Sequence, residues 1–321
     1  MATRMDDMTA APAATKIPAK QLPGDRWFSG TALAAGGMIL VTLAAVAIFL
    51  IVQSIPAIGA SSTEASLLTT NFWDYVWPLL FGTIWAAFLA LLMAVPLSLG
   101  VALFITHYAP RRAAQGLGYV VDLLAAVPSV VFGLWGILVL APAVQPVYAW
   151  LNQNMGWFPL FSGDVSATGR TIFTAAIVLA VMVVPIITAI CREIFLQTPV
   201  LHEEAALALG ATRWEMIRMA VLPFGRSGIV SASMLGLGRA LGETMAVAMV
   251  LSATGTVTFQ LFTSTNPSTI AANIALTFPE AFGTNINVLI ATGLILFVVT
   301  FLVNAVARWI VNRRKEFSGA N

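Results

Sequence analysis

Six apolar stretches, at residues 31–53, 79–106, 117–140, 171–192, 228–252 and 288–311, decide what this chain can become. Each meets or exceeds the roughly 20 residues that a helix needs to cross a bilayer. In hydrocarbon an unpaired backbone N–H or C=O costs several kcal/mol, so such stretches are helical. The composition excludes a soluble fold as well, because 59% of the 321 residues are apolar and 9% charged, where soluble domains carry about 25% charged residues. The sequence therefore predicts an all-α integral membrane protein with six transmembrane helices over residues 27–321. Residues 1–26 are rich in Ala, Thr, Pro and Lys without a periodic apolar face, and read as a disordered cytoplasmic tail. The first apolar run starts near residue 27 and continues for a full span, so no cleaved signal peptide is expected.

The charges set the topology. With the N-terminus inside, the inner segments hold Arg4, Lys16, Lys20, Arg26, Arg111, Arg112, Arg192, Arg213, Arg218, Arg226, Arg308, Arg313, Arg314 and Lys315, which is 14 of the 16 basic residues. Only Arg170 falls outside, and Arg239 lies within the fifth stretch. This asymmetry satisfies the positive-inside rule and predicts a multi-pass membrane protein with both termini cytoplasmic. Trp27, Trp73, Trp77 and Trp309 fall at the ends of stretches, where interfacial aromatics belong. Pro96, Pro128 and Pro185 fall inside them, either as kinks for a moving pore or simply as prolines that membrane helices tolerate.

Several chemistries are absent. Cys191 is the one cysteine, and His107 and His202 have no partner at ligand spacing, so neither a disulfide framework nor a metal site is expected. A phosphate-cradling loop G-x-x-x-x-G-K-[ST] is missing: Gly225-Arg226-Ser227 lacks the lysine, and position 220 is alanine. The chain is expected to hydrolyse no ATP itself, and no nucleic-acid partner is expected.

The long inner loop 193–227 reads EIFLQTPVLHEEAALALGATRWEMIRMAVLPFGRS. Pro199 opens a short helix over 201–209 with Glu203 and Glu204 in its first turn, where acids suit the helix dipole. Gly210 breaks it. Trp214, Ile217 and Val221 then recur on one apolar face. Such a pair of helices either docks into a groove of another protein or lies on the inner leaflet. Glu204-Ala205-Ala206, three residues, Gly210, nine residues and Ala220-Val221-Leu222-Pro223 resemble the E-A-A-x-x-x-G-x₉-I-x-L-P loop of ABC importer permeases, with alanine at 220 in place of isoleucine. The resemblance implies the type I ABC importer permease fold, with a core at about 75–310. It also implies that Glu203, Glu204, Ala205, Ala206, Gly210, Leu222 and Pro223 form the seat for an ATPase subunit.

The fifth stretch carries Arg239 and Glu243 in GLGRALGETMAVAM. A charge at such depth costs about 2.5–3.5 kcal/mol on insertion scales and therefore faces the protein interior or a wet path. Four residues apart on one helix, the two either neutralise each other, line a path for a polar solute, or gate it. A guanidinium fork suits an oxyanion. Gly228, Ala232, Gly236 and Ala240 form a small-residue stripe, and Gly238 and Gly242 a G-x-x-x-G pair, for close helix approach. Together with residues 124–136, LAAVPSVVFGLWG, the segment RALGETMAV resembles phosphate-specific ABC permeases of the PstC type. That resemblance implies inorganic phosphate as substrate, a homologous second permease, a pair of ATPase subunits that bind the ATP and Mg, and an extracytoplasmic phosphate-binding protein. It also implies a transport role for Arg239 and Glu243. A permease for sulfate, molybdate or phosphonate, or an ion-coupled secondary transporter, are the alternatives.

Lesser features complete the reading. Asp122 is expected to pair with Arg111 or Arg112 or to favour its helix N-terminus. Tyr148, Trp150, Trp157 and Phe158 in the outer loop 142–170 are expected either to dock the binding protein or to form an interfacial belt. The apolar patch 270–278 is expected as a short helix at the outer mouth.

Overall fold

The computed structural model describes residues 23–315 and falls into two units, residues 1–49 and 50–321. The predicted tail lies outside the described residues up to position 22, while residues 23–26 already belong to the first turn of helix α1 (Pro23–Ile58). The described part of the first unit is this helix up to Phe49, with Trp27, Leu33, Met38 and Val41 exposed, as a lipid-facing span requires. The helix runs through Pro56 rather than stopping before it.

In the second unit, α2 (Phe72–Leu103) starts at Asn71, whose side chain accepts the Asp74 N–H at 3.1 Å. Asp74 in that first turn complements the helix dipole. The helix widens into a π-turn, Phe104–Tyr108, and Pro110 ends it. A short amphipathic helix follows, α3 (Arg111–Ala125), with Arg111, Arg112 and Gln115 in its first turns and Tyr119, Val120 and Leu123 exposed.

Here the structure corrects the sequence reading. The third span runs from Ser129 to Met155 and not over 117–140. It consists of α4 (Ser129–Trp135), a π-turn (Gly136–Leu140) and α5 (Ala141–Met155). Pro128 sits in extended backbone (φ −58°, ψ 138°) at its start rather than within a helix. A proline pushes its predecessor out of the helical region. Hydropathy is blind to that break, because the residues on both sides are apolar.

α6 (Ile172–Leu196) is the most enclosed span, with Ile172, Ala176, Leu179, Met182, Val183, Ile187 and Cys191 all fully buried. It packs along α2 and receives α3 and the later α9. The inner loop folds as α7 (Val200–Ala208), a turn at Gly210 (φ +85°), α8 (Arg213–Met216) and a π-turn (Ile217–Val221). Thr212 and Glu215 cap α8 reciprocally through a capping box. The chain runs on without interruption into α9 (Leu222–Gly242). α10 (Met245–Val250), α11 (Ile270–Thr277) and α12 (Thr284–Lys315) complete the chain. Among the described residues six helices are long and apolar enough to span a membrane, and the sheet content is two isolated bridges.

One buried side chain ties the loop between α10 and α11 to the start of α6. Asn266 accepts the Ile172 N–H at 3.1 Å and donates to the carbonyls of Ser252 (3.2 Å) and Thr263 (2.9 Å). Tyr148 is not an outward docking residue. It is buried, bonded to Thr174 and stacked on Phe262 at 4.4 Å, while Trp150 and Trp157 remain exposed.

Candidate functional site

The small-residue stripe of α9 lies against α6. A Cβ on Gly228 would run into Ile194, and one on Gly236 would meet Val183 and Ile187 at 2.7–2.8 Å, so both positions require a bare backbone. These contacts also fix depth, because Gly236 stands beside the middle of the 25-residue α6. Arg239 is three residues further, about 4.5 Å along the axis, towards the Ile172 end. Helical side chains lean back towards the N-terminus, so its guanidinium is aimed towards the end of α6 that carries Leu196.

Between α9 and α12 a cavity of about 890 Å³ is lined by Val230, Ser231, Met234, Leu235, Gly238 and Arg239 of α9, by Asn304, Ala307 and Arg308 of α12, and by Ile186 of α6. Among the described residues no carboxylate lines it. Neither Arg239 nor Arg308 has a hydrogen bond or ion pair within the chain among the described residues. Two guanidinium groups, an amide and a hydroxyl thus surround a space large enough for a small solute, with apolar walls. Such a donor set is matched to an oxyanion, which accepts from several N–H groups in a fork.

Arg239 and Glu243 do not pair. The ion pairs among the described residues are His107–Glu203 and Arg192–Asp122. The helix that was expected to carry both residues on one face ends at Gly242, and Glu243 adopts extended backbone (φ −68°, ψ 130°). Its side chain is 8% exposed and accepts the Ala246 N–H at 3.1 Å, capping α10. The physical reason is competition: a carboxylate that can cap a new helix need not continue the old one. Gly238 and Gly242 face open space rather than a helix of this chain.

At the other end, α7 has no buried residue. Glu204, Ala205 and Gly210 are exposed, Ala206 and Leu222 are half-buried, and Pro223 is exposed. Leu201 and Leu209 stand out, the latter 90% exposed. The expected face of Trp214, Ile217 and Val221 divides: Ile217 and Val221 are fully buried, while Trp214 is 56% exposed. The π-turn at 217–221 changes the register that a regular helix would have kept. Glu203, next to the exposed pair, is held by His107 at 3.5 Å.

Sequence reading missed three placements. Asp122 pairs with Arg192 at 3.4 Å, not with Arg111 or Arg112, and the Arg192 guanidinium rests on Gly118, where a Cβ would collide with it. Arg308, counted among basic residues near the C-terminus, lines the cavity of Arg239. Arg170 donates to the Met249 carbonyl at 3.0 Å. Each partnership joins residues far apart in sequence, so no local spacing announces it.

Comparison with known proteins agrees with this architecture. Residues 94–316 match the family described as binding-protein-dependent transport system inner membrane component. The phosphate transport system permease protein PstC 2 of Mycobacterium tuberculosis is 51% identical over 299 residues, covering 89% of this chain and 91% of that protein. The PstC protein of Mesorhizobium japonicum is 39% identical over 308 residues, covering 92% of each. In three dimensions the chain is similar to a subunit of a bacterial ABC transporter involved in import of the acidic polysaccharide alginate, with a TM-score of 0.62, 17% identity and coverage of 90% of this chain and 96% of that one. At that identity the likeness speaks for the fold alone. The chain is a multi-pass membrane protein that belongs to the binding-protein-dependent transport system inner membrane components and, within them, to the PstC-type transport permeases.

Proposed function

We propose that this chain is one permease subunit of an ATP-driven phosphate importer in the bacterial inner membrane, with both termini cytoplasmic. The observation that carries the reading is the cavity in which Arg239 and Arg308 stand without a carboxylate. A neutral or cationic solute would meet uncompensated positive charge there, whereas phosphate would neutralise it. The PstC relatives, named as phosphate transport permeases, support the same anion. Arg239 holds phosphate in the path. Glu243, at the break between α9 and α10, is the hinge of the gate and not the partner of Arg239.

The exposed loop of Glu204, Ala205, Ala206 and Gly210, with Glu203 behind it and Leu222 and Pro223 at its end, seats an ATPase subunit that binds the ATP and Mg. The chain itself performs no covalent chemistry. A second, homologous permease closes the open face of α9 around Gly238 and Gly242, and a phosphate-binding protein delivers the anion from outside. A solved neighbour in complex with a ligand-bound periplasmic protein supports that last partnership.

The test is ATP-driven uptake of radiolabelled phosphate by vesicles holding the whole complex. One charged hydrogen-bonding group is worth about 1.5–3 kcal/mol, so Arg239→Gln is expected to lower uptake at limiting phosphate roughly 10- to 150-fold. Arg239→Lys keeps the charge but not the fork and falls between. Excess sulfate leaves wild-type uptake unchanged. Full uptake by an assembled Arg239→Gln complex would remove the cavity from the path, and strong competition by sulfate would reassign the anion.

A further inference from the structure

We propose that His107 is the pivot that fixes the α7–Gly210–α8 arm to the transmembrane body, so that movement of the arm is delivered to α2. This deepens the reading of that arm as the ATPase seat and rests on it. His107 lies in the π-turn that widens the end of α2. Thr106 donates from its hydroxyl to the Ala102 carbonyl at 2.9 Å and meets His107 Nδ1 at 2.6 Å, which sets the plane of the ring. Nε2 then faces Glu203 Oε1 at 3.5 Å, an ion pair when the ring carries both protons, with the two side chains 9% and 24% exposed.

The same residue is gripped from a second direction. Arg213 Nη1 donates to the His107 carbonyl at 3.4 Å. Glu203 precedes the Gly210 turn and Arg213 follows it, so both limbs of the arm end on one residue. α7 buries no side chain of its own, and Gly210 at φ +85° has nothing within 4 Å of its Cβ position. Ala206 packs on the core and the Ala211 N–H bonds the Ala206 carbonyl at 3.2 Å across the Gly210 turn, and the two contacts at His107 add a side-chain link from each limb of the arm to the end of α2. From His107 the load passes into α2, which lies along α6, and α6 contributes Ile186 to the cavity wall. A histidine without a metal or catalytic partner thus stands between the docking arm and the anion cavity.

Phosphate uptake and ATP hydrolysis measured together on the reconstituted complex test this. Variants are His107→Ala, His107→Gln, Glu203→Ala and the double His107→Ala/Glu203→Ala. A partly exposed ion pair is worth up to about 1 kcal/mol, so phosphate moved per ATP should fall about fivefold in His107→Ala with ATPase subunits still bound. His107→Gln, which keeps a donor in reach of Glu203, should recover part of that ratio. The double variant should be no worse than the poorer single. An unchanged ratio in His107→Ala, or losses that add in the double variant, overturns the pivot.

The seat itself is checked separately by Glu204→Arg. Undiminished ATPase binding in that variant sinks the reading of the arm, whatever His107 does. Spin labels at Leu201 and Tyr119, both exposed, give a readout on the full chain without its partners. His107→Ala should broaden the distance distribution between them, and an unbroadened one refutes the pivot even if the variant complex does not assemble.

Discussion

Asn266→Ala should unfasten the loop between α10 and α11 from the start of α6, and the size of the effect follows from three bonds. The side chain is fully buried. Removing it strands the Ile172 N–H and takes one donor each from the Ser252 and Thr263 carbonyls. Each hydrogen bond is worth about 1 kcal/mol net, and a stranded buried donor costs about 1–3 kcal/mol, so the loss should be about 3–4 kcal/mol. The backbone bonds from the Ser166 N–H to the Phe262 carbonyl and from the Leu261 N–H to the Leu160 carbonyl survive, so the loop loosens without detaching. The assay is reversible unfolding of the purified chain in mild detergent by a denaturing detergent titration. Asn266→Asp sharpens it. At pH 7 a carboxylate would keep the Ile172 N–H but face two carbonyls, so that variant should be less stable than Asn266→Ala. Its stability should rise as the pH is lowered, because protonation costs less and the acid can then donate. Asn266→Ala within about 0.5 kcal/mol of wild type, the scatter of ordinary surface substitutions, or a pH-independent Asn266→Asp, would refute the bonding scheme.

Three glycines give further checks. Gly236→Ala places a methyl against Val183 and Ile187 and should destabilise the chain by about 1–3 kcal/mol, as overpacked cores do. Gly238→Ala, two residues on with nothing within 4 Å, should instead be neutral or stabilising by up to about 1 kcal/mol. Unfolding of the isolated chain compares the two directly, and equal effects would refute the assignment of faces. Gly210→Ala meets no atom, so its cost is conformational, about 1–2 kcal/mol for a left-handed residue. Faster proteolysis within 200–216, with unchanged global unfolding, is the expected readout, and Gly210→Asn should suffer less.

Much of the architecture was legible because hydrocarbon leaves few options. A run of apolar residues long enough to cross must be a helix, and the positions of four of the six spans follow from that alone; the fifth ends at Gly242 instead of running on to 252. The third was displaced because the break at Ala126–Pro128 sits inside an unbroken apolar run, where proline geometry rather than hydropathy decides. The arm before α9 was legible at Pro199 and Gly210, which act on their own backbone. Its second half was not, because a π-turn shifts the register and buries Ile217 and Val221 while leaving Trp214 out. Arg239 could be singled out from its cost in a membrane. Arg308 and His107 could not: an arginine near the end of the last span is what interfacial snorkelling alone would produce, and His107 acquires its partners, Glu203 and Arg213, only through the fold.

In the proposed phosphate path, the separation of Arg239 from Glu243 is the step that links this fold to anion transport. On an unbroken helix the two would lie one turn apart and neutralise each other. An arginine so satisfied gains little from a passing anion, which would have to compete with a permanent carboxylate. By ending α9 at Gly242, the chain turns Glu243 into the cap of α10 and leaves the guanidinium without a partner. Arg239 is exposed on this chain, and covering such a charge within the membrane costs about 2.5–3.5 kcal/mol on insertion scales. In the proposed phosphate path an entering anion offsets that cost, so the charge left unpaired in the resting fold becomes affinity for the solute. The break that supplies it lies in the backbone, where a gate needs freedom to bend. Joining the two segments again, by a variant that lets the helix run through Glu243, should therefore weaken uptake by restoring the pair while raising the stability of the chain. An uptake-competent variant with the pair re-formed would show that the free charge is not what draws phosphate in.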